Sequence, residues 1–236
     1  NIMVSELGIN IDEIAGTSSL PEDITFDTSA GANLSGSTVT VPITIGNNNN
    51  RVLIVSVGSE GSNFSTDYGV SGILFNGVAM TKIDGGQFGI SDGCANYVSL
   101  WYLLNPDVGT HNVEVSFINT PDSGASAIGV SLYNVAQQAP EATSKNLASI
   151  SDPLTLNITT LKNGAWVVDA FNCIVSSTNA TPGSGQTSVG RQSNLQDLQM
   201  STKLVSSAGS TSTVWSGGAG EQEGVISASF APFVAA

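Results

Sequence analysis

VTVPITIGNNNNRVLIVSV, residues 39–57, decides the fold class. Val39, Val41, Ile43 and Ile45 alternate with Thr40, Pro42 and Thr44, the period of a strand with one buried face. Pro42 has no N–H to give to a ladder, which predicts a strand at a sheet edge or at a bulge. Asparagines 47–50 make a polar tip. Residues 52–57 then run apolar with one break, the pattern of a central strand covered on both faces.

The same grammar continues on either side. Residues 73–75 and 78–80 flank Asn76-Gly77, a pair suited to a two-residue hairpin in which both turn positions need positive φ. Residues 97–103 (YVSLWYL) read as a strand with Trp101 in the core. Val113, Val115 and Phe117 alternate, as do Ile128, Val130 and Leu132. Further strands are expected at 24–26, 154–158, 166–171, 200–205, 213–215 and 225–230. Residues 134–152 read as a polar connection and 176–188 as a Gly/Ser/Thr loop. About twelve to fourteen strands with almost no helical pattern imply an all-β chain. The expected fold is one two-sheet antiparallel β-sandwich, jelly-roll-like, with an N-terminal strand extension. Residues 1–21 form an arm and linker, and 22–236 the sandwich. No internal repeat is visible in the sequence.

Composition fits this reading. Hydrophobic residues make up 40% of the 236-residue chain and charged residues 11%, against a usual ~25% charged. Six basic residues face 19 acidic ones, a formal charge of −13. A phosphate backbone or an anionic membrane surface needs clustered Lys and Arg, so nucleic-acid and membrane partners are not expected. No apolar run approaches the ~20 residues of a spanning helix. Scarce lysine, abundant Ser, Thr, Asn and Gly, and two widely spaced cysteines point to an extracellular, cell-surface location. Cys94 and Cys173 are either one long-range disulfide or two buried thiols. Asn33, Asn63, Asn157 and Asn179 head N-x-S/T sequons that permit glycosylation outside the cell.

Catalytic constellations are weak. His111, the only histidine, lies between a turn and a strand. Asp67, Asp84, Asp92, Glu114, Asp169, Glu221 and Glu223 are the carboxylates available to glycoside chemistry. Most neighbour Gly or Ser in turn-like segments; Glu114 should face water, and Asp169 interrupts an apolar run, so it should be partly buried. Asp84, Asp92, Glu221 and Glu223 offer hard oxygens to calcium, but no EF-hand or glycine-aspartate repeat is present and no cofactor is expected. Trp101, Trp166 and Trp215 read mainly as core, with Trp215 the most accessible of the three. The chain is not expected to be an enzyme.

The phrases ILFNGVAMTKI (73–83), VSLWYLLNP (98–106), GTHNVEVSF (109–117), GAWVVDAF (164–171) and GSGQT (183–187) resemble a family of secreted or phage-associated β-sandwich surface domains of bacteria and archaea. The likeness covers most of 23–233. It implies a surface, adhesive or particle-building module and carries over no catalytic residues. The apolar N-terminal arm resembles in layout the donor strand of extracellular, pilus-like filament subunits. There, each subunit inserts its first strand into a neighbour. Residues 2–14 match by type, and Val4, Leu7, Ile9, Ile11 and Ile14 would form the joint. The expected function is therefore a homopolymeric structural subunit. The alternative is a carbohydrate-binding, adhesive or viral decoration module with surface glycans as partners.

Overall fold

A computed structural model of the chain describes residues 20–89, 93–174, 180–193, 196–218 and 221–235. The expected arm residues 1–19 lie outside that set. The described residues form 17 strands, all pairing antiparallel, in four sheets.

The chain is all-β, as expected, but its sheets number four rather than two. The first half builds one sandwich. Its inner sheet contains β1 (Thr25–Asn33), β9 (Gly124–Tyr133), β3 (Val52–Gly61), β7 (Ala95–Leu104) and β6 (Thr81–Gly89), in that order. Its outer sheet runs β2 (Val39–Ile45), β8 (Gly109–Phe117), β4 (Val70–Phe75), β5 (Val78–Ala79). The second half builds another sandwich. Its inner sheet runs β10 (Ala142–Ser149), β17 (Glu223–Phe230), β12 (Ala165–Cys173), β15 (Asp197–Val205), β14 (Thr187–Ser193). Its outer sheet is β11 (Leu154–Thr160), β16 (Gly209–Ser216), β13 (Thr181–Pro182).

These two topologies match, except that β5 has no counterpart in the second half. β1, β2 and β3 correspond to β10, β11 and β12; β7, β8 and β9 correspond to β15, β16 and β17. The registers agree as well. Val39 opposes Val115 and Ile45 opposes Gly109, as Leu154 opposes Trp215 and Thr160 opposes Gly209. Val52 lies between Leu104 and Leu132, as Trp166 lies between Leu204 and Phe230. Even the bulge recurs: it follows Lys82 in β6 and Ser188 in β14. The chain thus contains a structural repeat that the sequence reading did not detect, because the halves share pairing and burial pattern more than residues.

The two inner sheets pack face to face and bury the central core, which includes Ile54, Leu100 and Val130 from one half and Val168, Met200 and Ile226 from the other. A second core lies under β2, β8 and β4. A third, smaller one holds Leu154, Leu156, Phe171, Cys173 and Trp215. Having both faces covered is why β3, β12 and β17 are buried along almost their whole length. The edge strands β1 and β14 face each other, and so do β10 and β6. Asn172, near the end of β12, reaches Tyr97 O and stands over Gly58, near the end of β3, so these two strands run the same way. Reversed lateral order with a common strand direction places an approximate two-fold axis along the strands, between the halves. Pro42 lies on β2, an edge strand of its sheet, where its missing N–H costs no ladder bond. Asn76 (φ 48°) and Gly77 (φ 78°) make the tight turn between β4 and β5.

Candidate functional site

Both ends of the described chain meet at one end of the molecule, here the base. Glu22 N donates to Phe233 O (2.9 Å), Phe233 N to Asn134 O (2.8 Å), and Asn134 Nδ2 to Asp23 O (3.1 Å). Leu20, the first described residue, is 85% exposed. Beside it lies a cleft of about 430 Å³ lined mainly by Pro21, Ala136, Ala231, Pro232, Phe233 and Val234. The joint residues Val4, Leu7, Ile9, Ile11 and Ile14 fall outside the described residues.

A second apolar depression opens near the base, in the seam between edge strands β1 and β14. It holds about 340 Å³, with Phe26, Trp166 and Val189 as its apolar walls. Phe26 is 40% exposed, and Leu204, paired with Trp166, is 58% exposed. The opposite seam, between β10 and β6, is related to this one by the approximate two-fold. It is closed by the Lys145–Asp84 ion pair (2.7 Å) and by Leu147, which packs over Gly86. In the β1–β14 seam only the far part is filled, by Gln192 against Gly31 and Ile128 against Gly190. The local sequence explains the opening: Ser29, Thr187 and Ser188 are too small to fill it. Sequence reasoning placed Trp166 in the core and passed over Phe26. Neither edge strand carried a pattern that would have paired them.

At the far end the central core turns polar. Ser56, Glu60, Asn96, Ser126, Asn172 and Gln196 are buried there. Gln196 Nε2 donates to Gly58 O (2.7 Å) and Asn172 Nδ2 to Gln196 Oε1 (3.3 Å). Burial raises the Glu60 carboxyl, against a hydrogen bond from the Cys94 thiol and with a smaller push from Asp122. The exposed Asp122 is lowered, first by the Ser62 hydroxyl (2.6 Å) and amide (2.7 Å).

Cys94 and Cys173 are thiols, so the disulfide weighed from the sequence is not formed. Strand parity explains it. Asn172 faces the opposite inner sheet, so its neighbour Cys173 points the other way, into the small core with Phe171 and Trp215. Cys94 lies beside the first inner sheet, where burial and Glu60 raise its thiol.

Asp169 is fully buried, more than the sequence suggested. It accepts from Ser201 Oγ (2.6 Å), Ser201 N (3.2 Å) and Gln186 Nε2 (3.0 Å). Burial outweighs these donors and pushes its carboxyl up to about 7. Glu223, also buried, is raised to about 7 by burial and by the Asp152 charge. Trp215 is 1% exposed and stacks on Phe171 at 5.0 Å, which overturns its reading as the accessible tryptophan. Trp101 is buried and Trp166 half-buried. Glu114 and Asp67 are exposed, Glu221 and His111 half-buried. His111 Nε2 sits 3.2 Å from Val108 O. Among the described residues no three His, Cys, Asp or Glu side chains group as a metal site. Asp84 is held by Lys145, and Asp92 lies outside the described residues. Asn33, Asn63 and Asn157 are exposed, and Asn179 lies outside the described residues.

The arrangement brings together apolar grooves and unpaired sheet edges near the base, and buries Glu60 in the central layer but Asp169 and Glu223 in the second sandwich. Set against known proteins, the chain matches no family model, no curated protein and no solved structure.

Proposed function

We propose that the chain is a structural subunit of an extracellular filament or surface assembly, and that copies join through the N-terminal arm. The observation that carries this reading is the open seam between β1 and β14, an apolar groove between two edge strands near the base from which the arm departs. An edge strand presents unpaired N–H and C=O groups, and an added strand satisfies them while its alternate side chains fill pockets. Added as a strand, the arm would present Leu7, Ile9 and Ile11 on one face as such side chains. Against Phe26, Trp166 and Val189 each buried aliphatic residue contributes roughly 1.5–3 kcal/mol. Bulges at Phe26/Thr28 and Ser188/Gly190 twist both edges beside the groove. Such bulges discourage indiscriminate edge pairing and leave it to a strand whose side chains fit. Low charge and a Ser/Thr/Asn-rich surface suit an exposed structural element.

Removing residues 1–16 tests the reading. The truncated chain should stay folded and monomeric in light scattering while the intact chain assembles. Assembly that survives the truncation would overturn it.

A further inference from the structure

The two halves differ at one more place, the lateral mouth of each sandwich. In the second half that mouth is plugged. Gln186 Nε2 donates to Asp169 Oδ2 (3.0 Å) and Ser201 Oγ (2.9 Å), while its Oε1 accepts from Val214 N (2.7 Å). By register Ser201 corresponds to Trp101 of the first half. There, among the described residues, no side chain plugs the mouth, and a cavity of about 190 Å³ opens between β7 and β4. Its walls are Val57, Val70, Tyr97 and Ile118, its polar groups Asp67, Lys82 and Ser99. Ile118, on the rim, is 53% exposed.

The polar groups are held in place. Asp67 Oδ1 accepts from Gly69 N (2.9 Å), and Asp67 O from Asn119 Nδ2 (2.8 Å), which fixes the loop. The Tyr97 hydroxyl, pushed up to about 12 by burial and then by the Asp67 charge, donates to Thr66 O (3.4 Å). The Lys82 stem lies against Gly85, where a Cβ would come within 2.9 Å of Cε. That lets the ammonium reach 5.9 Å from the Trp101 ring centre. Among the described residues Lys82 makes no ion pair.

We propose that this cavity binds one pyranose unit of a glycan. The Asp67 carboxylate as acceptor, the Lys82 ammonium as donor, and the Ser99 hydroxyl, which accepts from Trp101 Nε1 (3.0 Å) and keeps its own hydrogen to donate, above apolar walls match a sugar ring, which has a hydroxyl edge and a C–H face. A purely apolar ligand would strip water from Asp67 and Lys82 without replacing those bonds. A phosphate or sulfate would meet the Asp67 charge in a chain of net charge −13. The volume is below the roughly 300–1,000 Å³ of drug-sized sites, so it suits a single ring.

Ligand-observed saturation-transfer NMR on the intact chain, with a panel of free hexoses, the matching uronates and free amino acids, tests this. At least one sugar should give saturable signals. Asp67→Asn keeps the acceptor for Gly69 N but loses the charge, and should weaken binding roughly tenfold or more. Lys82→Ala should weaken it too. Both sites are on the surface, so thermal unfolding should be nearly unchanged in these variants. Response from no sugar, response from amino acids alone, or sugar binding indifferent to Asp67→Asn would each overturn the proposal. None of these results bears on assembly through the arm.

Discussion

The side chain of Asn172 stands over the α-carbon of Gly58: a Cβ built on that glycine would lie 2.8 Å from Asn172 Oδ1. The contact crosses the junction of the two sandwiches. Asn172 Nδ2 reaches Tyr97 O (3.1 Å), and Gln196 Nε2 takes the Gly58 carbonyl (2.7 Å). A glycine near the end of β3 therefore has a packing cause. Its missing side chain is replaced by an amide from the other half, which satisfies buried carbonyls as it fills the space.

Substituting Gly58→Ala should accordingly strain the junction. Overpacking of this kind costs about 1–3 kcal/mol, and each kcal/mol lowers Tm by roughly 2–4 °C in a chain of this size. The coupling gives a sharper readout. Gly58→Ala combined with Asn172→Ala should cost less than the two single changes added together. Strict additivity in thermal unfolding would show that the two residues do not meet.

The strands were legible in the sequence where burial is one-sided or complete. Val39 to Ile45 and residues 52–57 declared an edge strand and a central strand, and Pro42 is on an edge. The inner-sheet strands that escaped were β6, β10 and β14. Each borders an inner sheet, is rich in Gly, Ser, Thr or Lys, and is half-exposed, so it carries little period-2 signal. With three of the four inner-sheet edge strands missing and the fourth, β1, cut short, two stacked sandwiches read as one. The seam groove was hidden for the same reason, since Phe26 and Trp166 meet only through long-range packing.

The buried carboxyls set a pH dependence. Asp169 and Glu223 are raised to about 7 in the folded chain, from ordinary values of 3.8 and 4.5. Between those limits the folded state holds protons that the unfolded state has released, so stability falls as pH rises. The loss should begin near pH 4 and level off above about 7, at up to the order of a kcal/mol per pH unit for each group. Asp169→Asn should lower Tm, because an amide nitrogen then faces the Gln186 donor, and should flatten the slope. A wild-type Tm that climbs steadily from pH 4 to 7 would contradict the assignment.

Thiol chemistry checks the strand parity. Cys94 is partly accessible with a raised thiol, and Cys173 is buried. Under native conditions one cysteine should alkylate, slowly at pH 7 and faster as pH rises, because the thiolate is the reactive form. The second should react only after unfolding. Mass spectrometry of the intact chain without reductant should show no bridge; a bridged peptide would refute the outward orientation of Cys173.

The groove can be probed without touching the arm. Phe26 sits on a half-exposed edge, so Phe26→Ser should change Tm by little while weakening association at least tenfold, the equivalent of about 1.4 kcal/mol. Substituting the exposed Leu74 on the outer sheet should leave association unchanged. Equal effects at both positions, measured by sedimentation velocity, would point to a general loss of surface hydrophobicity instead of a specific joint.

Electron microscopy of the intact chain beside the chain lacking residues 1–16 addresses the central claim most directly. Filaments with a regular subunit repeat from the first, and isolated particles from the second, are the expected result. Isolated particles from both, or filaments from both, would contradict assembly through the arm.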